Sequence, residues 1–89
     1  MSPVASKVLS TVNASYGTSL SADQLAARIC DPESAENFDC SAFCFFSEVN
    51  EQLQYSFLQE MDIDVSTARV VARKFSQLAG YALPLAKAA

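Results

Sequence analysis

Apolar residues recur at helical spacing in the first part of the chain. The repeat consists of Ala5, Val8, Leu9 and Val12. Intervals of three and four residues place such positions on one face of a helix. Ser2 followed by Pro3 is a typical helix start, and Gly17 is a typical C-terminal stop. We therefore predict a first helix over residues 3–16.

A second helix is predicted from Ala22, because Ser21 and Gln24 have the spacing of a capping box. Its inward residues are Leu25, Ala26, Ile29 and Cys30. This helix must end near residue 31, because a residue that precedes a proline avoids helical backbone angles. Residues 31–33 then resemble the start of a short extra turn.

The longest predicted helix covers residues 40–61 and begins after Asp39, a favourable N-cap. Its predicted core stripe comprises Ala42, Phe46, Val49, Leu53 and Phe57, with Phe43 and Phe45 at the margins. A fourth helix is predicted over residues 66–83, capped by Ser66 or Asp64 and ended by Pro84. Its apolar face comprises Ala68, Val71, Ala72, Phe75, Leu78, Ala79 and Ala82. Residues 85–89 are expected to form a frayed tail.

These patterns predict an all-α fold, a compact four-helix single domain over residues 1–89, or five helices if the extra turn is counted. Bundle and orthogonal array both remain open. The chain is 51% hydrophobic and 18% charged, which is typical of a folded domain. It shows neither a signal peptide nor an apolar stretch long enough to span a membrane, so we expect an intracellular, cytoplasmic protein.

The residue types that support catalysis are scarce. The chain has no histidine, which removes the commonest general base and zinc ligand, and its two glycines lie too far apart to form a phosphate-binding loop. We therefore expect no enzyme activity, no catalytic residues and no cofactor. Cys30, Cys40 and Cys44 could form a three-thiolate metal site or a disulfide, but an odd number of cysteines without a secretory signal favours reduced thiols and no metal.

Charge is unevenly distributed along the chain, whose net charge is −4. Nine acidic residues and no basic residue lie between Arg28 and Arg69, whereas four basic residues and no acidic one follow Asp64. One interpretation is mutual attraction between helices together with solubility. The other is an acidic recognition face for a protein with a basic surface, such as one whose own site takes nucleic acid.

The second interpretation predicts a non-enzymatic, acidic protein-binding module that acts as an inhibitor. A strip on the third helix, away from its core stripe, combines apolar and charged residues: Cys40, Cys44, Glu51, Tyr55 and Leu58. The predicted partner-binding residues are Glu33, Glu36, Glu48, Glu51, Tyr55 and Leu58.

Two alternatives remain. Residues 57–83 could form a DNA-binding helix-turn-helix that exposes Thr67, Arg69, Arg73 and Lys74. Three acids, Glu60, Asp62 and Asp64, and a pI near 4.5 count against a nucleic-acid partner. The other alternative is a homodimer or larger scaffold that associates through the strip of Tyr55 and Leu58.

Overall fold

The computed structural model describes residues 2–79 and contains six helices and no strand in that range. The helices are α1 (Pro3–Tyr16), α2 (Ala22–Cys30), α3 (Pro32–Glu36), α4 (Cys40–Glu48), α5 (Glu51–Glu60) and α6 (Val65–Ala79). The all-α prediction is confirmed, although the helices number six rather than four or five. The predictions for residues 80–83, Pro84 and the 85–89 tail lie outside the described residues.

The first two helices begin and end where their capping residues predict. The Ser2 hydroxyl accepts the Ala5 N–H at 3.1 Å, and Gly17 closes α1 in the left-handed region at φ 62°. In α2, Ser21 Oγ accepts the Gln24 N–H at 3.2 Å while Gln24 Oε1 accepts the Ser21 N–H at 2.9 Å. Local sequence therefore determines this part of the fold.

The extra turn after α2 forms a real but short helix, α3. It ends with a residue in the left-handed region, Phe38 at φ 49°. The N–H groups of Phe38 and Asp39 bond back to the carbonyls of Ala35 and Ser34, at 3.1 and 2.7 Å. This is a Schellman motif, in which glycine is the usual residue at the left-handed position. A phenylalanine there costs about 1–2 kcal/mol of backbone strain.

The predicted long helix over residues 40–61 is wrong, because the chain leaves the helix at Val49 and Asn50. Val49 has extended backbone angles (φ −75°, ψ 135°), and the Asn50 side chain caps α5 by accepting the Gln52 N–H at 2.8 Å. The break is stabilised from inside the protein by Gln54, which is fully buried. Its Nε2 donates to the carbonyls of Phe46 and Val49, at 3.2 and 2.8 Å.

A second Schellman motif joins α5 to α6. Asp62 occupies the left-handed position at φ 56°, and the Ile63 N–H bonds to the Leu58 carbonyl at 2.8 Å. Aspartate tolerates this conformation better than most residues do. Helix α6 then starts at Val65, directly after Asp64 and one residue earlier than predicted.

Helix α4 lies at the centre of the fold, in contact with α1, α2, α3 and α6. Helix α1 also packs on α5, and α6 packs mainly on α3 and α2. The largest core side chains are the fully buried Phe45, Phe46, Phe57 and Phe75. Their burial confirms most of the predicted core, although Leu53 is only half-buried.

The predicted inward face of α6 is wrong at Leu78, because 58% of the surface of this residue is exposed. It is turned about 60° away from Phe75 around the helix axis, at the edge of the buried face.

None of the helices within residues 2–79 combines the length and the hydropathy that a membrane-spanning segment requires.

Candidate functional site

The strip predicted on the third helix does not form one surface. Cys44 and Leu58 are fully buried, Tyr55 is half-buried, and only Cys40 and Glu51 are exposed. The prediction assumed a single straight helix, and the break at Val49 turns α5 away from the direction of α4. Leu58 is therefore a core residue rather than a partner-binding one, and the predicted dimer strip of Tyr55 and Leu58 is wrong.

The predicted acidic residues are distributed over several parts of the fold. Glu33 and Glu36 share the exposed face of α3, and Glu51 begins α5. The Glu48 carboxylate contacts α1 and its own helix, since it accepts the Ser15 hydroxyl at 3.2 Å and the Cys44 thiol at 2.9 Å. These four acids therefore do not form one continuous face.

Ion pairs connect the acidic middle of the chain to basic residues of other helices. Lys74 Nζ lies 3.2 Å from Glu36 Oε1, and Arg28 Nη1 lies 3.6 Å from Asp39 Oδ1. Both pairs are partly exposed, so each contributes at most about 1 kcal/mol. They support the interpretation in which part of the charge pattern holds helices together.

The cysteines are free thiols in three environments: Cys40 exposed, Cys30 half-buried and Cys44 fully buried. Burial raises the pKa of Cys30. Burial, with a smaller effect of the Glu48 carboxylate, raises the pKa of Cys44 to about 11. Among residues 2–79, no three potential ligands gather to hold a metal ion. Neither the three-thiolate site nor the disulfide occurs in this structure.

The turn between α5 and α6 borders an acidic groove, a depression of about 410 Å³. Its lining residues are Tyr55, Gln59, Asp62, Ile63, Asp64 and Val65. Asp62 and Asp64 are exposed, whereas Tyr55, Ile63 and Val65 are half-buried and pack against the core. The groove therefore combines carboxylates at its rim with an aromatic ring and aliphatic walls.

Helix α5 extends this groove with one more acid. Glu51, Tyr55 and Gln59 are four residues apart and lie along one side of the helix. The two ion pairs described above involve Glu36 and Asp39, and neither includes Glu51, Asp62 or Asp64. The acidic groove therefore presents exposed carboxylates, whereas the charge of Glu36 is offset by Lys74.

Two of the residues predicted from the sequence, Glu51 and Tyr55, belong to this groove or its extension. From the sequence, Asp64 was predicted only as a helix cap, and Asp62 and Asp64 only as acids that count against nucleic-acid binding. Gln59, Ile63 and Val65 were not predicted to belong to any site. The available signal in the sequence was the alternation of acidic and aliphatic residues over positions 62–65, shortly after Tyr55 and Gln59.

The helix-turn-helix alternative gains little from the observed arrangement. Helix α6 packs mainly on α3 and α2, and α5 packs on α1. Of the residues predicted to contact DNA, Thr67 and Arg69 are half-buried, Lys74 pairs with Glu36, and Arg73 is exposed. Asp62 and Asp64 precede the N-terminal end of α6, the end that would read bases. Their charge would repel phosphates there.

No family model, curated protein or solved structure matches this chain. The role of the acidic groove therefore has to be argued from its own residues.

Proposed function

We propose that the chain is a non-enzymatic, acidic protein-binding module whose acidic groove receives a basic segment of a partner protein. The observation that supports this most is the pair Asp62 and Asp64, two exposed carboxylates at the rim of a groove that also contains Tyr55. This surface replaces the strip on the third helix as the predicted recognition site.

A lysine or arginine side chain has the chemistry that such a groove requires. Its aliphatic stem can lie along Ile63 and Val65, as long basic side chains do on apolar surfaces. Its charged head can bond the Asp62 and Asp64 carboxylates, and hydrogen bonds between ionised groups are the stronger kind. The Tyr55 ring adds a cation–π contact of about 0.5–1 kcal/mol at an exposed site.

The groove has room for a single basic side chain of the partner segment, and the helix beside it offers a second contact. A volume of about 410 Å³ falls at the lower end of the range for ligand sites. Glu51, one helical turn before Tyr55, provides a further contact for a second basic residue. A partner whose basic site takes nucleic acid would be inhibited, because the bound carboxylates would compete with phosphates.

The direct test is to measure the binding of an arginine-rich peptide to the full chain at low salt by titration calorimetry. Asp62→Asn with Asp64→Asn removes both rim charges, and asparagine also tolerates the left-handed backbone of residue 62. Loss of two exposed ion pairs weakens binding about tenfold.

The control is Asp23→Asn with Glu33→Gln, which removes the same number of charges from exposed positions on α2 and α3. It should change the affinity far less than the groove variant does. If both variants weaken binding equally, the peptide responds only to net charge, and the groove is not a binding site.

The natural partner can be sought by a pull-down from nuclease-treated lysate, in which the Asp62 and Asp64 variant is compared with the unmodified chain. A protein with a basic surface that is captured only by the unmodified chain supports the proposal. Capture that requires nucleic acid would favour the α6 alternative. In that case Arg69→Ala with Arg73→Ala would abolish it.

A further inference from the structure

Within residues 2–79, exposed apolar side chains are concentrated on α6 and at the end of α3. Three of the four exposed large hydrophobic residues in that range lie there: Phe38 (41%), Val70 (45%) and Leu78 (58%). The Phe38 ring packs on Phe75 of α6, with centroids 5.6 Å apart. We call Phe38, Val70 and Leu78, together with Glu36 and Lys74, the α3–α6 surface.

One ion pair lies within this surface. Lys74 is four residues from both Val70 and Leu78, so the three share one side of α6. Its Nζ is 3.2 Å from Glu36 Oε1 of α3, and both side chains remain substantially exposed. Glu36, Lys74 and Leu78 also line a depression of about 370 Å³ together with Gln77.

The surface is thus acidic on its α3 edge and basic on its α6 edge, with apolar side chains beside both. A two-fold axis through it would set the pair of one copy antiparallel to that of the other, so that each Glu36 faces the second copy's lysine at position 74. Such an arrangement is self-complementary, which is the requirement for a two-fold interface between identical chains. A partner of one charge sign would instead be repelled by one of the two edges.

We propose that the α3–α6 surface binds a second copy of this chain to form a two-fold symmetric dimer. The interface has Phe38, Val70 and Leu78 as its apolar contacts and the Glu36 and Lys74 pairs of both copies near the axis. This inference goes beyond the proposed function and involves no residue of the acidic groove.

The first test is sedimentation of the full chain over about 10 μM to 1 mM, the range in which small interfaces associate. A concentration-dependent shift from monomer to dimer is expected. Leu78→Asp removes an apolar contact twice per dimer and should weaken association about a hundredfold. The matched control, Ser10→Asp, adds the same charge at an exposed position of α1 and should leave association unchanged.

The second test exchanges charges across the axis. Glu36→Lys makes positions 36 and 74 both positive, and Lys74→Glu makes them both negative, so each variant should dimerise about tenfold more weakly on its own. An equimolar mixture should associate as strongly as the unmodified chain, because both contacts across the axis then join opposite charges. The chain carrying both substitutions should also dimerise normally.

These results decide between a second copy and other occupants. Circular dichroism of each variant checks that the helices are retained. A chain that stays monomeric up to about 1 mM overturns the proposal. So does association that is indifferent to Leu78→Asp, or a mixture of the two charge variants that fails to restore the dimer.

Discussion

The break between α4 and α5 depends on Gln54, and replacing this residue with leucine tests that dependence. The Nε2 group of Gln54 supplies hydrogen bonds to two buried carbonyls, those of Phe46 and Val49. Leucine fills a similar volume and remains compatible with a helix, but it cannot donate. The two carbonyls then lose this partner in the interior of the protein.

The expected loss of stability follows from three contributions. Each buried carbonyl left without a donor costs about 1–3 kcal/mol. The substitution also has a stabilising effect. Gln54 Oε1 is itself buried with no hydrogen-bond partner among the described residues, so its removal recovers the free energy lost at about one of the two carbonyls. Burial of leucine recovers a little more. The net expectation for Gln54→Leu is a decrease of about 1–3 kcal/mol in the free energy of unfolding.

Urea unfolding followed by circular dichroism measures this change. The control is Gln52→Leu on the exposed side of the same helix, which should stay within about 0.5 kcal/mol of the unmodified chain. If Gln54→Leu leaves stability unchanged and increases the helical signal, α4 and α5 have merged into one helix. The Asn50 cap and the Gln54 hydrogen bonds would then not account for the break, and our explanation would be refuted.

Three further predictions concern the core, the strained backbone and the buried thiol. Phe46→Ala should lower the free energy of unfolding by about 3–5 kcal/mol in the same urea experiment, and a change near zero would mean that the core is wrongly placed. Phe38→Gly should be about 1 kcal/mol more stable than Phe38→Ala, because both lose the ring but only glycine is relaxed at φ 49°; equal stabilities would contradict the strain. The pKa of Cys44 is raised from 9.0 to about 11, so its stabilising contribution is complete below about pH 9 and is lost as the pH rises toward 11. Urea midpoints between about pH 8 and 11 should fall less in Cys44→Ser than in the control Cys40→Ser, whereas parallel curves would exclude this contribution.

The sequence was sufficient to predict elements whose capping groups are local. Ser2, Gly17 and the pair of Ser21 and Gln24 mark their helix ends by hydrogen bonds to residues at most four positions away. Such bonds depend little on the rest of the fold, so short-range patterns identify them. The buried phenylalanines were also predictable, because they repeat at helical spacing.

The break at Val49 was missed for a physical reason. Neither glycine nor proline occurs there, and the apolar spacing continues through residues 42–57 as if one helix covered them. What stabilises the break is Gln54, a polar residue that lies in the interior only because α5 has turned. Asn50 was the available signal, since asparagine is a favourable N-cap and a glutamate follows it.

The binding residues were harder to place because their exposure depends on that same break. A straight helix would have exposed Leu58 beside Tyr55, whereas the turned α5 buries Leu58 and leaves Tyr55 at the acidic groove. The left-handed conformation of Phe38 had no signal at all, because Schellman motifs are usually recognised by a glycine. Its exposed ring emerges only from the packing of α3 on α6.

The two proposed surfaces should act independently of each other. The acidic groove reaches α6 at Val65, and the substituted residue of the α3–α6 surface, Leu78, lies thirteen residues and about 20 Å further along the helix. Effects of substitutions separated by more than about 10 Å without shared partners usually add. We therefore expect Asp62→Asn with Asp64→Asn to leave the dimer dissociation constant unchanged, and Leu78→Asp to leave peptide affinity per chain unchanged. A variant of one surface that alters both measurements would show that the dimer contact and the acidic groove are coupled, and that the chain recognises its partner as an assembled pair.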